Sequence, residues 1–221
     1  MTSEPPSSSG SRTTRRRYDR LAGIYDAMEA GIERVAFRHW RRELWSAVEG
    51  KRLLEVGVGT GKNIPYYPQG VQVVAIDLSP RMLERARALA ARQQVDVELH
   101  EMDVERLAFP DSSLDAVAAT FVFCSVPLPI EGLREIRRVL RPGGRLHLLE
   151  HVLSRRSGLR PLMRVLNPAV VRVMGANIDR ETRRNIEAAG FELESERDLW
   201  LDIVKLFLAR APQERVERPS Q

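Results

Sequence analysis

Residues 53–63 read Leu-Leu-Glu-Val-Gly-Val-Gly-Thr-Gly-Lys-Asn, and this stretch decides the fold that we expect. The apolar segment 51–56 is typical of a short buried strand. The glycines that follow it allow backbone N–H groups to approach a ligand where a Cβ atom would block the way. A helix that starts after such a turn adds the partial positive charge of its N-terminus. The sequence therefore predicts a ligand-binding turn at the carboxyl end of a strand.

The spacing of the glycines excludes two common nucleotide-binding turns. A phosphate-binding loop that ends at Gly61-Lys62 needs a glycine where Val56 stands and a hydroxyl residue where Asn63 stands. A dinucleotide fingerprint has two residues between its second and third glycines, whereas only Thr60 separates Gly59 from Gly61. The turn is therefore expected to serve a different ligand.

Strand-like and helix-like segments alternate along the rest of the chain, which predicts a doubly wound α/β domain. Apolar strands are predicted at 51–56, 71–77, 95–101, 114–121, 145–150, 191–197 and 201–209. Helical periodicity predicts two helices within 18–48 and further helices at 80–94, 130–141 and 179–189. Ser79 is the expected N-cap of the helix at 80–94, and Pro80 its first residue.

A chain of 221 residues fits one domain with a sizeable core. We expect that domain over residues 15–210, with an N-terminal helical segment at 15–49 and a helical insert at 152–178. Residues 1–14, rich in Ser, Pro and Thr, are predicted to be a disordered tail, and residues 211–221 a second tail.

Positive charge is concentrated in two segments, although the net charge is only +5. Residues 11–45 hold nine Arg against five acidic residues, and residues 152–178 hold five Arg and no acidic residue. Such surfaces suit anionic membranes, nucleic acid or anionic substrates, or are simply solvated. No apolar run reaches the ~18–20 residues that span a bilayer, and the N-terminus lacks the apolar core of a secretory signal. The single cysteine excludes an internal disulfide, and the scattered His residues predict no metal site.

Four motifs in order resemble the class I S-adenosylmethionine-dependent methyltransferases, and together they cover residues 51–151. They are Glu55-x-Gly57-x-Gly59-x-Gly61, Asp77 twenty residues after Gly57, Met102-Asp103-Val104, and Leu140-Arg-Pro-Gly-Gly144. The resemblance implies S-adenosylmethionine as cofactor and a Rossmann-like sheet of seven strands. That sheet is expected to be mostly parallel with its last strand antiparallel, with N-terminal helices and a helical insert after strand five.

The resemblance also assigns roles to single residues. Asp77 is expected to accept hydrogen bonds from both ribose hydroxyls, Met82 to cover an adenine face, and Asp103 to bind the adenine amino group. The full set of expected cofactor-binding residues is Glu55, Gly57, Gly59, Gly61, Asn63, Asp77, Leu78, Met82, Asp103, Val104 and Thr120.

Further segments narrow the resemblance to bacterial phosphatidylethanolamine N-methyltransferases and related membrane-associated thiol methyltransferases. They are Tyr18–Asp26, whose counterpart closes over the cofactor, Phe123-Cys-Ser-Val-Pro127, Glu150-His151-Val152 and the run from Asn177 to Phe191. An enzyme that methylates a phospholipid head group from the cytoplasmic side of an anionic inner membrane is the expected function. His151, at the end of the fifth strand, and Tyr25, in the N-terminal segment, are the candidate catalytic residues.

Other functions stay open at this point. The acceptor could instead be a quinone ring carbon, a small amine or a thiol, and a non-catalytic protein that binds the same cofactor is a further alternative. Nucleic-acid binding is less favoured, because the aromatic residues have no stacking spacing and acidic residues interrupt the first basic segment.

Overall fold

The computed structural model describes residues 9–21 and 37–213, and within them a single sheet of seven strands forms. In chain order the strands are β1 (Arg52–Val56), β2 (Gln72–Asp77), β3 (Glu98–Glu101), β4 (Leu114–Thr120), β5 (Leu140–His151), β6 (Glu192–Trp200) and β7 (Val204–Arg210). The helices are α1 (Ser9–Leu21), α2 (Arg38–Ser46), α3 (Pro80–Gln93), α4 (Pro129–Val139), α5 (Leu159–Met174) and α6 (Thr182–Ala188), and a 3-10 turn spans Ile64–Tyr66.

The strand order in the sheet is β3-β2-β1-β4-β5-β7-β6. Strands β1 to β5 run parallel to one another, and β7 is antiparallel to both β5 and β6. The chain winds outward from β1 in one direction and then from β4 in the other, so β1 and β4 flank the point where the winding reverses. The predicted doubly wound fold is confirmed, including the antiparallel last strand.

The core lies on both faces of the central strands. Strand β4 is buried almost throughout, as expected for a parallel strand that helices cover on each side. Val117 packs with Leu133 of α4 on one face, whereas Leu53 packs with Trp45 of α2 on the other. Complete burial of a side chain such as Leu133 contributes about 1.5–3 kcal/mol, so these layers hold the strand ends in fixed positions.

The helix after β2 begins as the sequence predicts. The Ser79 hydroxyl accepts a hydrogen bond from the Met82 N–H at 3.2 Å, and Pro80 occupies the first turn, where no N–H is required. Helix α4 ends earlier than predicted, at Val139 rather than at residue 141. The reason is that Leu140 adopts an extended conformation and pairs with Leu114 of β4.

Helix α1 begins at Ser9, inside the segment that was predicted to be a disordered tail (1–14). The polar composition of this segment suggested disorder. In the structure, its polar side chains contact distant parts of the chain. Arg15 forms an ion pair with Glu101 at 2.6 Å, and the Ser11 hydroxyl donates to Glu105 at 3.3 Å. The predicted boundary at residue 14 therefore differs from the structure, because tertiary contacts order residues 9–14.

The insert after β5 contains helix α5, which ends at Gly175 in the left-handed conformation and carries Pro168 in its interior. None of the helices in the described ranges is long and apolar enough to cross a membrane. Of the two predicted N-terminal helices, α2 is described, and residues 22–36, including Tyr25, lie outside the described residues.

Candidate active site

A cavity that opens to solvent at its mouth lies at the carboxyl ends of β1, β2 and β4. Open α/β sheets bind ligands at this position, where the winding reverses. Its walls come from two groups of residues. The β1–β3 side comprises Val56, Gly57, Gly59, Ile76, Asp77, Leu78, Met82, Met102, Asp103 and Val104. The β4–β5 side comprises Thr120, Phe121, Val122, Ser125, Val126 and Pro127, together with Thr14 and Tyr18 of α1.

The glycine turn after β1 uses its glycines in different ways, although Gly57, Gly59 and Gly61 all have positive φ angles. A Cβ atom on Gly57 would lie 2.4 Å from Cγ2 of Val122, so this glycine lets the turn pack against the chain after β4. A Cβ atom on Gly59 would meet nothing within 4 Å, and Gly59 lines the cavity. Gly61 packs against α3 and does not line the cavity.

Asp77 is the last residue of β2, and its carboxylate lies between two backbone N–H groups. Its Oδ2 accepts the Gly59 N–H, and its Oδ1 accepts the Ser79 N–H, each at 2.9 Å. Burial raises the pKa of Asp77 to about 6, and the nearby Asp19 carboxylate of α1 adds to this rise. Each carboxylate oxygen can accept a further hydrogen bond, because an ionised carboxylate offers about four acceptor positions.

The rest of the β1–β3 side is mostly apolar. Leu78, Met82, Met102 and Val104 line the cavity, and Met82 is fully buried. Asp103 also lines it and accepts the Glu105 N–H through Oδ1 at 3.0 Å, which holds the turn after β3. A flat slot between apolar side chains with a carboxylate at its rim suits an aromatic base with an exocyclic amino group.

Glu55 and Asn63 lie behind the glycine turn and do not line the cavity. Glu55 is fully buried and accepts hydrogen bonds from the Tyr67 hydroxyl and the Asn63 amide. Burial raises the pKa of Glu55 to about 7. The Asn63 amide also donates to the Thr120 hydroxyl at 3.1 Å and accepts from Arg41 at 3.0 Å. Of these residues only Thr120 reaches the cavity, so the network links the turn to α2 and β4.

The β4–β5 side begins with Phe121, a non-glycine residue at φ +56°. Such a conformation costs about 1–2 kcal/mol and persists only where packing holds it. The Phe121 ring stacks on His151 at 4.5 Å between centroids and contacts Phe37 at 4.7 Å. His151 does not itself line the cavity; it contacts the ring that does.

Glu150 holds the chain after β4, a role that the sequence analysis missed. It is fully buried, and its Oε1 accepts the Val122 and Phe123 N–H groups at 2.9 Å each. Its Oε2 has no hydrogen-bond partner within the described part of the chain, and burial raises the pKa of Glu150 to about 7. An acidic residue directly after the buried pair Leu148-Leu149, near the end of a strand, is the signal that could have identified it.

Cys124 lies in the same segment but is not a nucleophile candidate. Burial, together with the nearby Glu150 carboxylate, raises the pKa of the Cys124 thiol to about 12. The thiol therefore stays protonated at neutral pH, and nucleophilic chemistry needs the thiolate.

Helix α1 closes one side of the cavity through Tyr18, a second residue that the sequence analysis did not select. The Tyr18 hydroxyl shares a hydrogen bond with the Ser125 hydroxyl at 2.5 Å, and the Thr14 hydroxyl donates to the Ser125 carbonyl at 3.4 Å. The next residue, Asp19, accepts from the Ser79 hydroxyl at 2.6 Å. One helix thus connects the two sides of the cavity.

Comparison with known families identifies the region around this cavity. A family model described as a methyltransferase domain matches residues 54–148. A thiol S-methyltransferase of Homo sapiens is 33% identical over 190 residues, 77% of each chain. A demethylmenaquinone methyltransferase of Clavibacter sepedonicus is 31% identical over 225 residues, 91% of each chain. A phosphatidylethanolamine N-methyltransferase of Cereibacter sphaeroides is 42% identical over 104 residues, 46% of this chain and 51% of that protein.

Solved structures share the fold at lower identity. The cyclase SpnF superimposes with a TM-score of 0.73 at 20% identity and covers 94% of this chain and 98% of its own. A methyltransferase of Aquifex aeolicus that depends on S-adenosylmethionine gives a TM-score of 0.59 at 22% identity, with 74% and 83% covered. A cyclase on the same fold shows that architecture alone does not fix the reaction.

Proposed function

The chain belongs to the S-adenosylmethionine-dependent methyltransferases, and on that premise we propose that it methylates the amine of a phospholipid head group. The observation that carries the proposal is the contrast between the walls of the cavity. The β1–β3 side holds two carboxylates, Asp77 and Asp103, whereas the described residues of the opposite wall carry no charge and combine apolar side chains such as Phe121 with hydroxyl groups. An amphipathic acceptor fits such a wall, because its apolar part replaces water there.

The β1–β3 side is the proposed site of the cofactor. Asp77 would take the ribose hydroxyls, Asp103 the adenine amino group, and Leu78, Met82 and Val104 the faces of the base. The open space above Gly59 leaves room for the methionine part, and a Cβ atom would fill that room. Glu55, Asn63 and Gly61 then act from behind the turn by holding its shape. Bound here, S-adenosylmethionine supplies an activated methyl group on its sulfonium.

The acceptor would lie against Phe121, opposite the glycine turn. Methyl transfer is an in-line displacement, so the protein contributes mainly position and exclusion of water. An amine must be neutral before it can attack. His151 stacks on Phe121 and does not line the cavity in this structure, so its proposed role is to orient the acceptor through the Phe121 ring. Tyr18 and Ser125 form the opposite rim, and Tyr25 stays a second candidate for this role.

Relatives favour two other acceptor classes. The thiol S-methyltransferases and the demethylmenaquinone methyltransferase match more of this chain than the phosphatidylethanolamine N-methyltransferase does. An apolar thiol or a quinone ring carbon is therefore the second candidate, and it fits the same apolar wall. All three acceptor classes include molecules that partition into lipid, which is consistent with a protein that works at the cytoplasmic surface of an inner membrane.

The domain organisation belongs to the same proposal. A single catalytic domain would extend to residue 210, with α1 and α2 as its N-terminal cover and residues 152–178 as an insert on the acceptor side. Because α1 contacts both sides of the cavity, its first residue, Ser9, is the proposed start of the functional domain.

A methyl-transfer assay tests the acceptor. Purified protein is incubated with S-adenosylmethionine that carries a labelled methyl group and with phosphatidylethanolamine vesicles, demethylmenaquinone or an apolar thiol in parallel. We expect label in mono- and dimethylated phosphatidylethanolamine. Label only in the quinone or the thiol would replace the proposed acceptor by the second candidate. Cofactor binding without label in any acceptor would contradict both.

A further inference from the structure

Large apolar side chains are exposed at only a few positions in the described ranges. They are Leu128 (51% exposed), Leu162 (52%), Val165 (76%), Leu166 (47%), Trp200 (55%) and Leu201 (47%). These residues come from three separate parts of the chain: the start of α4, helix α5 and the turn between β6 and β7. Exposed apolar residues are ordinary when scattered singly, but a concentration on one face marks an interaction surface.

All three parts lie at the edge of the sheet where the parallel strands end, which is also the edge that holds the cavity. Trp200 ends β6 and pairs across the sheet with Val204, which pairs in turn with His151 at the end of β5. Asp202 ties the β6–β7 turn to the start of the insert, because it accepts from the Ser154 hydroxyl at 2.7 Å and the Arg155 N–H at 2.6 Å. The turn therefore lies beside the start of the insert, shortly before α5 begins at Leu159.

Helix α5 turns its apolar residues outward. Its inner face carries Met163, which is buried, and Asn167, whose side-chain oxygen accepts the Ile178 N–H at 2.9 Å. The outer face carries Val165, with Leu162 and Leu166 beside it. An amphipathic helix on a globular protein ordinarily buries its apolar stripe, whereas no residue in the described ranges 9–21 and 37–213 covers this one.

This surface adjoins the mouth of the cavity. The chain after α5 is fixed to the β4–β5 side, because Asn177 donates to the Cys124 carbonyl through its backbone N–H at 2.8 Å and its amide at 2.9 Å. The segment after β4, which contains Cys124, continues through Pro127 in the cavity wall to the exposed Leu128. A substrate that leaves this surface would reach the cavity without crossing bulk solvent.

We propose that the outer face of α5, the β6–β7 turn and Leu128 form the surface by which this protein docks on an anionic lipid bilayer. We call it the docking face. The inference rests on the proposed function for the identity of the acceptor, but the docking itself is independent of catalysis. Apolar side chains enter the acyl boundary, the indole of Trp200 lies at the head-group level, and arginines meet the anionic phosphates.

Charge favours a bilayer over a second copy of the chain. Residues 152–178 hold five Arg and no acidic residue. Acidic residues from elsewhere pair with four of them: Arg155 with Asp198 at 2.9 Å, Arg156 with Asp202 at 3.8 Å, and Arg160 and Arg164 with Glu181 at 2.6 and 3.9 Å. Arg172 is exposed and has no ionic partner within the described ranges. A two-fold interface would bring this face against itself, arginine against arginine, whereas anionic lipid complements it.

Vesicle binding without cofactor tests the proposal. Wild-type protein is mixed with phosphatidylcholine vesicles that contain or lack phosphatidylglycerol, and bound protein is measured by flotation. The double variant Leu162→Ser/Val165→Ser should bind the anionic vesicles at least about ten-fold more weakly, because two apolar side chains no longer enter the bilayer. The matched control, Ala88→Ser/Ala91→Ser, changes two exposed positions of α3 and should bind as wild type does.

Tryptophan fluorescence locates the contact. Brominated lipid should quench wild-type emission but not the emission of Trp200→Phe, which should still bind within about two-fold, as surface substitutions do. Equal vesicle binding by wild type and the α5 double variant, or quenching that survives in Trp200→Phe, would overturn the docking face. So would concentration-dependent dimerisation of wild type that the α5 double variant abolishes.

Activity separates this proposal from the proposed function. The α5 double variant should lose methyl transfer to phosphatidylethanolamine in vesicles but keep it toward a short-chain, monomeric phosphatidylethanolamine. If wild type binds vesicles as described but methylates neither form, the proposed acceptor fails and the docking face stands. If wild type methylates the monomeric form but does not bind vesicles, the docking face fails and the acceptor stands.

Discussion

The two sides of the cavity differ in how far apart in the chain their contacting residues lie. On the β1–β3 side, Asp77 bonds to Gly59, which is 18 residues away, and to Ser79, which is two residues away. On the β4–β5 side, Tyr18 meets Ser125 across 107 residues. The first side follows from short stretches of sequence, whereas the second requires the whole fold to be in place.

From this difference we expect the β1–β3 side to bind the cofactor in all relatives and the β4–β5 side to select the acceptor. A turn whose contacts are local keeps its shape whichever acceptor the protein uses, so relatives named for thiols, quinones and phospholipid can share it. The acceptor wall depends on α1, on Glu150 and on the insert, which meet only after folding. Changes there can alter the acceptor without disturbing the turn.

Asp77→Asn should give the largest effect and tests the β1–β3 side. The variant lacks the charge that two ribose hydroxyls would share, and two such hydrogen bonds contribute about 1.5 kcal/mol each. We expect the dissociation constant for S-adenosylmethionine to rise about 100-fold in calorimetry. Asp96→Asn, an exposed position after α3, is the control. Unchanged affinity in Asp77→Asn, with the fold intact, would show that the ribose lies elsewhere.

His151→Ala should give a smaller effect, confined to the β4–β5 side. Loss of a side chain that positions the acceptor costs about 2 kcal/mol, which lowers turnover about 30-fold. Cofactor affinity should stay at the wild-type value, and His100→Ala, at an exposed position of β3, should change neither quantity. Partial recovery in His151→Asn would indicate that the side chain orients the acceptor. A lower melting temperature at unchanged turnover would instead assign His151 a structural role.

The pH dependence of cofactor binding should show the smallest effect. Since burial raises the pKa of Asp77 to about 6, this carboxyl is mostly ionised at pH 7 and mostly protonated at pH 5. Ribose hydroxyls donate best to the ionised carboxylate. The affinity for S-adenosylmethionine is therefore highest above the pKa of Asp77 and falls as the pH decreases through it. We expect about ten-fold weaker binding at pH 5 than at pH 7. The same titration of Asp77→Asn should be nearly flat, and an equal pH dependence in both proteins would assign the titration to another group.

The fold was predictable to a large extent because its signals are local. Continuous apolar runs such as 114–120 mark buried parallel strands, and Ser79-Pro80 marks the start of a helix. Boundaries that depend on a partner were not predictable. The early end of α4 depends on the pairing of Leu140 with Leu114, and the helical state of residues 9–14 depends on contacts such as Arg15 with Glu101.

The candidate site divides in the same way. Asp77, Met82 and Asp103 were selected from their spacing and line the cavity. Tyr18 and Glu150 each belong to a segment that carries the family resemblance, but neither was selected as a site residue, because no local pattern distinguishes the one from other helix residues or the other from other acids at strand ends. Their importance becomes visible only through the groups that they contact.

The sequence by itself determined the glycine turn, the carboxylate of Asp77 and the alternation of strands and helices, since each depends on neighbours within about twenty residues. Tertiary structure alone decided that α1 lies across the cavity and that Glu150 holds the chain after β4. It also gathered the exposed apolar residues of α5 and the β6–β7 turn on one edge. The physical reason is that packing of the sheet sets these distances, and no local pattern encodes which distant surfaces the packing brings together.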